Sequence, residues 1–115
     1  IAREVAEGVA GFARNMAIGG GFEPGTMIGP VISREQRDRI ERLVATAQPE
    51  GARLLTGGRR ARETGWFLEP TVFTDCRPDM TIVREEIFGP VIAIQAFGDA
   101  DLETIAAQAN DTVYG

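Results

Sequence analysis

An α/β layer fold is predicted by three observations along these 115 residues. Apolar residues at helical spacing open and close the chain. A capping-box tetrapeptide starts another helix at Ser33. The apolar run Val91-Ile92-Ala93-Ile94 lacks the polar alternation of a half-exposed strand, so it should be a strand covered on both faces. Helices alternating with such strands imply layers of helix and sheet around a shared core.

Each element follows from its own residues. Ile1, Val5, Val9, Phe12 and Met16 recur three and four apart, the apolar face of a first helix. The glycines Gly19-Gly20-Gly21 are expected to stop it, and Pro24-Gly25 and Gly29-Pro30 extend an irregular connection. Ser33 caps a second helix from Arg34 to about Thr46, which should bury Ile40, Leu43, Val44 and Ala47 before Pro49 and Gly51 end it. Arg53 to Thr56 is a short strand closed by Gly57-Gly58. A second strand lies between Phe67 and Phe73, where Pro70 implies an edge or a break in the ladder. A single helical turn is expected at Thr81 to Arg84, and the third strand spans Val91 to Phe97. Gly98-Asp99 turns the chain, and Asp99 or Asp101 caps a last helix with Leu102, Ile105, Ala106 and Ala109 as its apolar set. The order is helix, helix, strand, strand, strand, helix, in one domain or a piece of one. Ile1 falls directly in a helical pattern and Tyr114-Gly115 in a loop, so both ends are expected to be cuts in a longer protein.

Composition excludes several functions. A hydrophobic content of 43% suffices for one modest core. A net charge of −5 argues against nucleic acid, which demands a basic face. The cluster Arg59-Arg60-Ala61-Arg62 is short and glycine-flanked, and reads as a solvated turn. No apolar stretch approaches the roughly 20 residues that span a membrane. A single cysteine, Cys76, cannot form an internal disulfide and fits a reducing, cytoplasmic setting. The absence of histidine removes the commonest general base and excludes Ser-His-Asp and Cys-His catalysis. A zinc site would need more Cys or His ligands, and the carboxylates lack calcium-loop spacing. Gly19-Gly20-Gly21 follows a helix instead of a strand and leads to no Gly-Lys-Ser/Thr, so it is no phosphate loop. Cys76 has Asp75 and Asp79 beside Arg77 and no base partner, which points to a neutral loop cysteine.

The segment Glu85-Glu86-Ile87-Phe88-Gly89-Pro90 is the one local arrangement with chemical promise, since it ends at the start of a strand. Adjacent carboxylates on an extended chain diverge, so they are poorly placed to flank one bond as an acid–base pair. One of them could instead accept hydrogen bonds from sugar hydroxyls, with Phe88 offering an apolar surface to a flat ring. Gly89 would permit close approach or an unusual backbone angle, and Pro90 would stiffen the strand entry. The alternative is that Ile87 and Phe88 pack into the core while both glutamates are solvated.

This hexapeptide closely resembles the Glu-Glu-Ile-Phe-Gly-Pro segment of the NAD(P)-dependent aldehyde dehydrogenases, and five further motifs in order are similar to that family. They are Gly29-Pro30-Val31-Ile32, Glu50 to Gly58, Gly65 to Phe73, Asp79-Met80, and Ala109-Asn110 with Tyr114-Gly115. The resemblance implies that residues 1–115 are a partial catalytic domain, truncated at both ends, of an oligomeric enzyme. In that family a cysteine thiolate attacks the aldehyde, hydride passes to NAD or NADP, and water hydrolyses the thioester to a carboxylate. Glu86 corresponds to the residue that binds the nicotinamide-ribose hydroxyls, and Phe88 to the aromatic beside that riboside. Gln36 and Arg39, on the helix after Gly29-Pro30, correspond to the pair that meets the other half of the cofactor. Arginine stands where the family more often has lysine, and Gln36 could equally be only the capping-box partner of Ser33. The nucleophilic cysteine and the water-activating glutamate would lie upstream of Ile1, leaving no catalytic residue here. A non-catalytic structural or interaction protein on the same scaffold is the competing expectation, and the codons upstream of Ile1 would separate the two.

Overall fold

The computed structural model describes residues 1–98 and 101–114. The chain forms α1 (Ala2–Arg14), α2 (Arg34–Ala47), β1 (Arg53–Thr56), β2 (Thr71–Thr74), α3 (Thr81–Arg84), β3 (Val91–Ala93) and α4 (Leu102–Ala109). The strands make one mixed sheet in the order β1-β2-β3, with β1 antiparallel and β3 parallel to β2. The α/β class and the element order are those expected.

Side-chain alternation along the central strand divides the core into two layers. Phe73 points into the larger cluster with Ile40, Ala47, Met80, Ile82 and Ile87, which fastens α2 and α3 to one face of the sheet. Val72 points the other way, against Ala10 and Ala13 of α1. Pro70 breaks the ladder just before β2 instead of marking an edge, and the strand it precedes is buried throughout. Gly57 closes β1 at φ +77°, and a Cβ there would run into the Pro70 carbonyl, so glycine lets the two chain segments touch.

Three expectations are corrected. The face of α1 built from Ile1, Val5 and Phe12 is exposed, and the helix buries Ala6, Ala10 and Ala13 instead. Small side chains let the helix axis approach the sheet closely, which the larger ones on the neighbouring stripe could not. The helix also ends well before Gly19, where the Asn15 side chain donates to the Gly11 carbonyl at 2.8 Å. Finally, β3 is three residues long and lies at the sheet edge, with Ile92 half exposed, so it is not covered on both faces within these residues.

A fourth difference is at β2, which spans Thr71–Thr74 and not Phe67 to Phe73, because the stretch before Pro70 makes only an isolated bridge between Leu68 and Arg60. The remaining boundaries agree. Ser33 accepts from the Gln36 amide at 3.1 Å, which is the forward half of a capping box. Leu43 and Val44 pack against the core that Ile40 and Ala47 enter. Asp101 caps α4 through the Thr104 amide at 2.8 Å, while Asp99, the other candidate, lies outside the described residues. No residue of α4 is buried, and of its apolar set only Ile105 is half-buried among the described residues. The arginine turn is exposed, and Arg59, Arg60 and Arg62 pair with Glu69, Glu41 and Glu23. Among the described residues no helix is long and apolar enough to cross a membrane.

Candidate functional site

The turn from Glu85 to Pro90 hangs between two fixed points. Upstream, the Glu50 carboxylate takes the Thr81 amide at 2.7 Å and the Thr81 hydroxyl as well, which anchors the start of α3. Downstream, the Pro90 carbonyl accepts from the Thr71 amide at 2.8 Å and commits the chain to β3. Between them Ile87 drops into the main core. Its neighbours on both sides face outward.

The two glutamates have different fates. Glu85 accepts from the Tyr114 hydroxyl at 3.0 Å and lies 3.8 Å from an Arg39 nitrogen. Glu86 is exposed, and its carboxylate takes no hydrogen-bond or ion-pair partner among the described residues. The alternation expected for adjacent side chains has left one carboxylate structural and the other open. Tyr114 is a partner the sequence did not reveal, because nothing local links positions 29 apart.

Phe88 is 77% exposed and sits at φ +56°, in the left-handed region. For a residue with a Cβ this costs about 1–2 kcal/mol. The expected alternatives are therefore settled separately: Ile87 packs inward as the bland reading held, and Phe88 does not. The unusual backbone angle falls on Phe88 and not on Gly89. Gly89 provides the close approach, since a Cβ there would collide with Cδ1 of the buried Ile40.

Gln36 and Arg39 both reach this turn. The Gln36 amide nitrogen donates to the carbonyls of Ile87 and Phe88, each at 3.0 Å. Arg39 Nη1 donates to the Ile87 carbonyl, also at 3.0 Å. Gln36 is thus more than a helix cap, because its side chain bonds to residues about fifty positions away. All four residues singled out in the sequence, Gln36, Arg39, Glu86 and Phe88, converge on one place. A further arginine carries no local signal in the sequence: Arg37 is 8% exposed, pairs with Asp38 at 2.7 Å and lies 4.9 Å from the Trp66 ring centroid. Arg34 lies 5.3 Å from the same centroid, and the stack ties the loop before β2 to α2.

Other chemistry is absent from the described residues. No group of three His, Cys, Asp or Glu side chains could hold a metal ion. Cys76 is buried, and that burial, reinforced by the neighbouring Asp75 charge, pushes its thiol pKa up despite a backbone hydrogen bond from Ile94. A raised pKa disfavours the thiolate and suits a structural cysteine.

Known proteins share this sequence and fold. A model of the aldehyde dehydrogenase family matches residues 1–115. Betaine aldehyde dehydrogenase of Bacillus subtilis is 43% identical over 107 residues, covering 90% of this chain and 21% of that protein. A probable succinate-semialdehyde dehydrogenase [NADP(+)] of Sinorhizobium fredii is 42% identical, covering 97% of this chain and 22% of its own length. The NAD+ complex of aldehyde dehydrogenase from Bacillus cereus superposes with a TM-score of 0.91 at 41% identity, over 98% of this chain and 23% of that one. Aldehyde dehydrogenase from Mycobacterium tuberculosis complexed with NAD+ gives a TM-score of 0.90 at 43% identity, again over 98% and 23%. The chain therefore spans less than a quarter of these relatives. Across its whole length, by sequence and by fold alike, it belongs to the aldehyde dehydrogenase family.

Proposed function

We propose that residues 1–115 are part of the catalytic domain of an enzyme that oxidises an aldehyde to a carboxylate with NAD or NADP, and that they supply the contacts to the nicotinamide riboside. Glu86 accepts hydrogen bonds from the ribose hydroxyls, and the Phe88 ring lies beside the riboside. Gln36 and Arg39 complete the cofactor-binding set by holding the turn that carries both residues. The observation that carries this reading is the contrast within one dipeptide: Glu85 is engaged by Arg39 and Tyr114, while Glu86 keeps its oxygens open beside an exposed aromatic ring. An ionised carboxylate is an acceptor without a donor, which suits a pair of vicinal hydroxyls.

The cofactor, when bound, supplies a hydride acceptor. This chain's own part is to hold and orient it, since Ile87 and Pro90 fix the backbone on either side of Phe88. The nucleophilic cysteine and the water-activating glutamate belong to other segments of the full-length protein. There the thiolate adds to the aldehyde to give a thiohemiacetal, which becomes a thioester on loss of hydride, and the glutamate activates water to hydrolyse it. A relative named for NADP(+) and neighbours complexed with NAD+ support a nicotinamide cofactor of either kind. The uncovered apolar faces of α1 and α4 call for cover from the rest of the full-length protein or from a second copy in a homo-oligomer, and the free thiol of Cys76 suits the reducing cytoplasm.

Glu86→Gln in the full-length protein tests the reading. Replacing a charged acceptor by a neutral one should raise the KM for NAD(P) about tenfold with the thermal midpoint held. An unchanged KM would sink it. The 115-residue chain alone is expected to form no NAD(P)H from any aldehyde, a spectrophotometric measurement that reverses the assignment of the chemistry to other segments if signal appears.

A further inference from the structure

One face of α2 holds three consecutive residues of the Glu85–Pro90 turn. The Gln36 side-chain amide donates to the carbonyls of Ile87 and Phe88, Arg39 donates to Ile87, and Ile40 fills the space beside Gly89. Positions 36, 39 and 40 fall on one side of a helix, so a single rigid surface sets the path of the turn. That path is one the chain would not choose freely, because Phe88 lies at φ +56°. Left-handed residues persist only where their surroundings over-determine them, and here the surroundings are these three hydrogen bonds and the Ile40 contact.

We infer that Gln36 and Arg39 are positioning residues, which set the orientation of Phe88 and Glu86 through the peptide carbonyls of the turn, and that they do not act by touching the adenine half of the cofactor. The inference rests on the reading of Glu86 and Phe88 as riboside contacts. Its chemistry is in the donor inventory. Gln36 uses its amide nitrogen on the turn, and Arg39 turns one nitrogen to Ile87 and another toward Glu85. Loss of these donors frees the Phe88 peptide to rotate. The ring and the Glu86 carboxylate then lose their fixed relation to each other.

The test uses the full-length enzyme and two probes, NAD+ and ADP, the second having the adenine half without the nicotinamide riboside. Gln36→Glu keeps the length and an acceptor oxygen but removes both donors, and Gln36→Met removes both functions. Either should weaken NAD+ binding about tenfold in a fluorescence titration while leaving ADP affinity unchanged. Arg39→Met should act in the same direction, and Arg39→Lys, which still presents a donor, should stay within about twofold of the parent. A parallel loss of ADP affinity overturns the inference in favour of direct adenine-side contact, and so does an unchanged NAD+ affinity in all three donor-deficient variants. The underlying reading fails separately, if Glu86→Gln leaves NAD+ affinity intact. Thermal melting of each variant without cofactor shows whether the protein is folded, and the ADP titration supplies the internal control.

Discussion

Helices α1 and α2 carry apolar residues at the same spacing, yet only one of them has its larger residues covered. In α2, Ile40 is 1% and Ala47 0% exposed, and Leu43 and Val44 close over the same cluster. In α1, Phe12 is 64% and Val5 55% exposed, while the alanines one step round the helix are buried. Beside Phe12 and Met16, along Val72 and Ile92, runs an open apolar groove of about 290 Å³. The difference teaches that periodicity locates a helix and its amphipathic axis. Which stripe meets the sheet depends on side-chain size and on the surface offered by the partner.

The comparison can be broken by mutation. Ile40→Ala should cost this chain about 2–5 kcal/mol in urea unfolding, the usual range for emptying a packed site. Phe12→Ala should change stability by no more than about 0.5 kcal/mol, as for an exposed position. Equal losses at the two positions would show that α1 is packed as tightly as α2.

A single methyl group sharpens the same contrast. At Gly89 it would press on Ile40, and Gly89→Ala should destabilise by about 1–3 kcal/mol, with partial relief from Ile40→Val, which removes the opposing Cδ1. At Gly8 in α1 nothing lies within 4 Å of an added Cβ. Gly8→Ala should therefore stabilise the chain by about 0.5–1 kcal/mol through helix propensity. A loss at Gly8 in thermal melting would mean that the solvent-facing side of α1 is not free.

The smallest effect expected concerns α4, which unlike α1 and α2 buries no residue and so leans on its cap. The Thr104 amide, and after it the Thr104 hydroxyl, hold the Asp101 carboxyl below its ordinary pKa. A depressed folded pKa stabilises the helix above the unfolded carboxyl value, and that contribution disappears as pH falls through the folded value. Helix α4 should fray in acid before α2 does, which amide hydrogen exchange between neutral and acidic pH can follow. Simultaneous fraying would remove the distinction between covered and uncovered helices.

Much of the fold was legible because it is encoded over short distances. Ser33 and Gln36 announced the start of α2, Pro49 and Gly51 its end, and Arg53 to Thr56 a strand whose bounds the structure keeps. The failures share a cause. An apolar run signals burial without saying what buries it, so the sequence predicts a longer β3 than forms and the wrong buried stripe on α1. At the candidate site, Glu86, Phe88, Gln36 and Arg39 were all singled out by motif. The bond of Tyr114 to Glu85 and the orientation of Gln36 toward the turn have no such signal.

By itself, the sequence determined the order of helices and strands, most of their boundaries, and the kinship carried by six ordered motifs. Caps, breakers and apolar spacing act within a few residues, so they can be read along the chain. Only the tertiary structure decided which of two adjacent glutamates is occupied, that Phe88 rather than Gly89 takes the left-handed angle, and that α2 grips the turn. Those outcomes depend on contacts such as Gln36 with Ile87 and Tyr114 with Glu85, between positions 51 and 29 apart, and no local pattern encodes which distant partner arrives.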